Sequence, residues 1–192
     1  MKYSYLNMKL YFSLLFVLFF SLFSYSQDNA ELVKLYIEAR NDHNFENISA
    51  VLDINYQEHF IDGTVEIDSL IHLKKHLEWG EIMDSQCTLH NLEAIENKVV
   101  TTESFSNYMD LALGKEPRMF KMTYLIKDNR ILNSIIDTLP GYSKIMKDAA
   151  YKNSLFKEHC EKHDLPFSHE MDVEGAKKLR VVLSHYLENR EE

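Results

Sequence analysis

Few residues in this chain could move a proton, and they stand apart from one another. His59 lies in EHFIDGT, Glu58 to Thr64, where a strand-like run (INYQEHFI) gives way to a helical one. An imidazole titrates near neutral pH, so at a pocket mouth His59 could act as acid or base. Strand alternation puts Ile54, Tyr56 and Phe60 on one face and Asn55, Gln57 and His59 on the other. If the apolar face lines the core, His59 points to solvent or to a subunit partner. If the pocket is polar at this end, it points inward. Glu103 shares a strand face with Phe105, Asn107 and Met109. A carboxylate on so apolar a face must find a partner or shift its pKa. Asp137, near the end of IIDTL, is a third candidate, or else a strand-end residue that caps the next turn. Phe120, Met122, Tyr124 and Ile126 share one face of the following strand and form core or pocket wall. Phe120, Met122 and Tyr124, with Phe105 and Asn107, are the residues expected to touch a ligand.

Other chemistries lack their signatures. His72 and His76, and His159 and His163, have the i,i+4 spacing that can put two imidazoles on one metal. Neither pair carries the Glu of a His-Glu-x-x-His motif, so each reads as a polar helix face and no metal is expected. There is no Gly-rich phosphate loop, no Gly-x-Ser-x-Gly and no Cys-His nucleophile pair, and no cofactor is expected. Cys87 and Cys160 suit either one disulfide or two buried thiols.

The elements that must position these groups can be read from periodicity. Leu32, Val33, Tyr36 and Ile37 form one stripe of a first helix capped at Asp28 or Asn29. A short helix from Phe45 to Leu52, a strand from Ile54 to Ile61 and a helix to about Trp79 follow. Strands are expected over Ser85–Glu96, Val99–Leu113, Arg118–Lys127 and Ile131–Thr138, with turns at Asn97-Lys98, at Leu113–Pro117 and at Asp128-Asn129. Past Pro140-Gly141 lie two more helical segments. Residues 28–142 therefore read as an α+β unit, with helices on one face of a curved antiparallel sheet, and 143–192 as a C-terminal helical extension.

The first residues concern address. Leu10 to Phe23 is a 14-residue apolar run behind two lysines, too short to span a membrane, with Ser24 and Ser26 placed for cleavage before Gln27. Residues 1–26 read as a signal peptide, which implies export to a periplasm or beyond and no stable membrane anchor after cleavage. Its loss would take the net charge from −9 to −11. An acidic chain without a basic cluster argues against nucleic acid as a partner.

The opening LVKLYIEARNDHNFENISAVL resembles that of nuclear transport factor 2-like domains. That superfamily includes ketosteroid isomerases, SnoaL-like polyketide cyclases and limonene-epoxide hydrolases. HNLEAIENKVVTTESF looks like their second and third strands, and YLIKDNRILNSIIDTL like their last hairpin. The resemblance implies a cone-shaped sheet wrapped around the N-terminal helices, with a pocket at its open end. The isomerase carboxylate position falls on Phe60, which cannot accept a proton. Tyr36 matches approximately the isomerases' oxyanion-donor tyrosine, and Asp137 the acid/base carboxylate of the cyclases. The expected function is that of an exported SnoaL-like protein binding a small, partly apolar molecule. The alternatives are an acid/base lyase, isomerase or cyclase using His59, Asp137, Glu103 and Tyr36, and a homodimeric interaction module.

Overall fold

A computed structural model describes residues 28–168 and 170–189. The expected signal peptide lies outside the described residues. Helix α1 covers 28–41. It is followed by α2 (Phe45–Val51), β1 (Leu52–Phe60), β2 (Val65–Ile67), α3 (Leu70–Ile82), β3 (Gln86–Ile95), β4 (Lys98–Ser106), α4 (Tyr108–Ala112), β5 (Arg118–Lys127), β6 (Arg130–Thr138), α5 (Tyr142–Lys162) and α6 (Val173–Asn189). The strands form one sheet in the order β2-β1-β6-β5-β4-β3.

The meander β3 to β6 is antiparallel, as its turns require. Its last hairpin closes through Asp128 and Asn129, at φ 52° and 58°, where short polar side chains tolerate the left-handed conformation. The β3–β4 turn sits one residue earlier than expected, with Glu96 in the left-handed region. β1 returns parallel to β6, so the sheet is mixed at that edge. Breaks in register at Leu89/Asn91 and Leu125/Ile126 bend the strands and help curl the sheet.

The third strand is shorter than alternation suggests. It stops at Ser106 because the Asn107 side chain accepts a hydrogen bond from the Asp110 amide and starts α4. Met109 is therefore helical and leaves the strand face it shared in the sequence reading. Ile54 also departs from expectation: β1 breaks register between Leu52 and Gln57, and Ile54 is exposed while Tyr56 is buried.

Inside the curl α1 and α3 meet the concave sheet face in one core, which includes Val33, Ile37, Leu73, Val99, Ile126 and Ile131. A second cluster joins α3, α4, α5 and α6 through Met83, Leu113, Phe156, Cys160, Leu179 and Leu183. The extension therefore packs on the helices at one end of the cone. Both cysteines are buried and free.

Candidate functional site

At the open end of the sheet lies a cavity of about 320 Å³. Its apolar wall comes from Phe60, Phe105, Phe120, Met122, Leu73 and Leu77, and its polar lining includes Arg40, Glu58, His76, Asn107 and Arg118. The size and mixed lining suit a small organic molecule. The start of α5 contributes Tyr142 and the segment before α6 Met171, and Trp79 belongs both to the lining and to the second core's margin.

Glu58 is built into this wall by β1, whose alternation turns Tyr56, Glu58 and Phe60 inward. Its Oε1 accepts hydrogen bonds from Tyr36 (2.8 Å), Tyr56 (2.9 Å) and Arg40 Nη1 (3.0 Å). Arg40 stands one helical turn after Tyr36 on α1 and also donates to the Tyr36 hydroxyl at 2.9 Å. Each phenol has a single proton. With both given to Glu58, Tyr56 can accept from Ser134 Oγ, 3.1 Å away. Burial, to which Glu58 adds, pushes both tyrosines far above their usual pKa, so they stay donors. Burial works against the Arg40 charge, but Glu58, helped by Tyr36, Tyr56 and Tyr124, outweighs it and holds the guanidinium protonated. All these bonds fall on Oε1, which leaves Oε2 for an N–H or O–H group in the cavity.

Glu103 sits behind the wall, almost wholly buried. Thr101 and Tyr124 donate to its Oε1, Tyr124 at 2.8 Å, and the cavity-lining Cys87 donates to Oε2 at 3.3 Å. Burial raises the Glu103 pKa, although its three donors pull the other way. Burial and then Glu103 push the Cys87 thiol up, so it is no nucleophile.

The sign of the Glu103 shift makes a prediction. A folded pKa above the unfolded one stabilises the protein fully below the unfolded value, and the benefit is lost as pH rises through the folded value. Glu103→Gln mimics the protonated acid. It should melt higher than the wild type at neutral pH, with an advantage that shrinks to nothing in acid. Thermal melts across a pH series check this, and a Gln variant less stable at every pH would contradict it.

The acid/base set expected from the sequence does not assemble. His59 lies between the inward Glu58 and Phe60, paired with Ile135 and Val65, and so faces the outer side of the sheet. Asp137 follows the cavity-lining Ile136 and is likewise turned outward, opposite Lys121. Tyr36 and Glu103 are inside but wholly buried, and neither reaches the cavity. Of the expected ligand contacts, Phe105, Asn107, Phe120 and Met122 line the cavity, while Tyr124 lies behind it on Glu103. Alternation thus turns two of the four expected groups, His59 and Asp137, away from the cavity.

The sequence reading passed over Arg40, Glu58 and Arg118, and took His76 only as part of a polar helix face. Arg40 continues the stripe of Val33 and Tyr36, and Glu58 alternates with Tyr56 and Phe60, so both carried a signal. Burial and then the neighbouring His72 and Arg40 lower the His76 pKa, so its imidazole is neutral at neutral pH. Among the described residues no group of three or more His, Cys, Asp or Glu is placed to hold a metal.

A mixed curved sheet curled on helices, open at one end over a partly polar cavity, is the nuclear transport factor 2-like fold. No family model and no curated protein matches the sequence. An LEH-like epoxide hydrolase of M. tuberculosis superposes with a TM-score of 0.50 at 13% identity, over 67% of this chain and 94% of that one. A cystatin-fold protein of Novosphingobium aromaticivorans gives 0.49 at 14% identity, over 56% and 96% of the two chains. A nuclear transport factor 2-like protein of Cytophaga hutchinsonii gives 0.45 at 16% identity, over 56% and 87%. The likeness to the epoxide hydrolase establishes the fold and no more than that.

Proposed function

We propose that this protein binds a small, partly apolar molecule in the cone. The carrying observation is the 320 Å³ cavity, with aromatic and aliphatic walls and the Glu58 carboxylate presented into it by Tyr36, Tyr56 and Arg40. Three donors on Oε1 fix that carboxylate as an acceptor of set orientation. A ligand that offers a hydroxyl or N–H to Oε2 while filling the apolar wall uses every part of the site.

A ligand that binds only the native state raises its stability, by about 2.7 kcal/mol at a hundred times its Kd. In a chain of this length that is roughly 5–11 °C of melting temperature. A thermal-shift screen of small hydroxylated aromatics and aliphatics should find such a rise, and Glu58→Gln should weaken the hits. A screen with no shift, on a protein whose cavity excludes all of them, would count against binding. The work of the protein outside the cytoplasm is part of the same proposal, motivated by the apolar run at 10–23. Intact-mass measurement of the exported chain should find it beginning at Gln27; a mature chain that keeps residues 1–26 would refute that.

A further inference from the structure

The cation at the cavity's other end bears on ligand charge. Arg118 opens β5 in register with Phe105 of β4, and the Arg40 guanidinium lies 5.5 Å from the centre of the Phe105 ring. Arg40 is neutralised by Glu58. Arg118 is not neutralised in the same way. Its Nη2 stands 3.6 Å from Asp110 Oδ2, too far for a hydrogen bond, and its Nε is buried without a partner. Asp110 is shared with Lys115, whose Nζ is 3.8 Å from Oδ1. The group of Arg118, Lys115 and Asp110 therefore carries two cationic side chains against one carboxylate. Burial weakens the Lys115 charge and Asp110 supports it, and Asp110 Oδ2 itself accepts no hydrogen bond.

The rest of the lining does not cancel this excess. Glu66, the other carboxylate there, is exposed on β2 at the opposite edge of the sheet from β4. Asn107, just past the end of β4, also lines the cavity; its carbonyl oxygen accepts from the Asp110 amide, which leaves its NH₂ to donate. His43 lines the cavity with a buried Nε2 that also lacks a partner. A guanidinium whose fork is not docked, with donors near it and an aromatic wall alongside, matches a planar carboxylate. In a chain of net charge −9 such a local excess of positive charge is a property of the site and not of the surface at large.

We infer that the ligand of this cavity is an amphipathic organic anion, its carboxylate held by Arg118 and Asn107 and its apolar body against Phe105 and Phe120. This rests on the binding reading above and adds the ligand's charge and orientation.

Naphthoate and naphthamide have nearly the same shape and differ in charge, so they separate the two claims. Titration calorimetry on the full folded protein should show naphthoate binding about tenfold or more tighter than naphthamide. Arg118→Gln should erase that preference by weakening naphthoate far more than naphthamide. Arg118→Lys, which keeps the charge and loses the fork, should retain part of the preference, and it serves if the Gln variant fails to fold. Equal binding of the two probes would overturn the anion assignment and leave the cavity reading standing. A preference for naphthoate that survives both substitutions would overturn the assignment to Arg118. Failure of both probes to bind would count against the anion and the cavity together.

Discussion

Glu58→Ala should cost this protein about 3 kcal/mol of stability, and most of that should return when Arg40→Met is added. Removing one member of a buried ion pair is expensive mainly because the other is left charged and unpaired, typically by ~3–5 kcal/mol. Glu58 is 2% exposed, but Arg40 keeps 22% of its side chain in water, which moves the expectation to the lower end of that range. At roughly 2–4 °C per kcal/mol the melting temperature should fall by about 6–12 °C. The tyrosines lose less than the arginine does. With Glu58 gone, Tyr36 can donate to Tyr56, 3.1 Å away, and Tyr56 to Ser134 at the same distance, so neither phenol is stranded. The guanidinium keeps only the Tyr36 oxygen. Arg40→Met removes that residual charge and fills similar space. Denaturant unfolding of the two single variants and the double variant gives the coupling directly. Additive losses would show that the pair is not what holds this wall together.

How much of this was legible beforehand differs between fold and site, for a physical reason. The meander could be read because its strands alternate cleanly and its turns carry Asp and Asn where the backbone must go left-handed. Short-range irregularities could not. The cap at Asn107 ends β4 with one side-chain hydrogen bond, and the register break in β1 sends Ile54 outward; neither leaves a periodic trace. The site depended on the same parity. Tyr56, Glu58 and Phe60 sit on one strand face, yet His59 drew attention by its chemistry while Glu58 was left out of consideration. Its burial becomes plausible only once Arg40 is known to stand across from it, 18 residues away in sequence. Pairing of that kind is a property of α1 packing into the curl of the sheet. Asp137 failed similarly, because a match to a strand-end position does not say which face the residue takes.

The C-terminal extension carries the second large expectation. Phe156 on α5 is 1% exposed, packed with its ring 5.3 Å from that of Phe167 and 5.5 Å from that of Tyr186, the latter edge-on. Phe156→Ala should remove about 3–5 kcal/mol, the usual loss for truncating a fully enclosed phenylalanine. The informative question is where that loss is felt. If the extension were an independent unit, α5 and α6 would melt first and leave the sheet folded. The contacts argue otherwise. The cluster around Phe156 includes Met83 from the end of α3 and Leu113 from the end of α4. Arg180 on α6 bonds the Ile82 carbonyl and Asp84 (2.7 Å), and its guanidinium lies 4.3 Å from the centre of the Tyr108 ring. Ser184 meets the Tyr108 hydroxyl at 3.1 Å. Trp79 then links this cluster to the cavity wall. A single cooperative transition, lowered by about 6–20 °C, is therefore expected, together with weaker binding of whatever ligand shifts the wild type. Val181→Ala, on the exposed side of α6, should do neither. Far-UV circular dichroism during the melt, followed alongside amide exchange in β5 and β6, decides the matter. Early loss of helix with the strands still protected would make the extension a detachable cap; simultaneous loss makes it part of the wall that shapes the cavity.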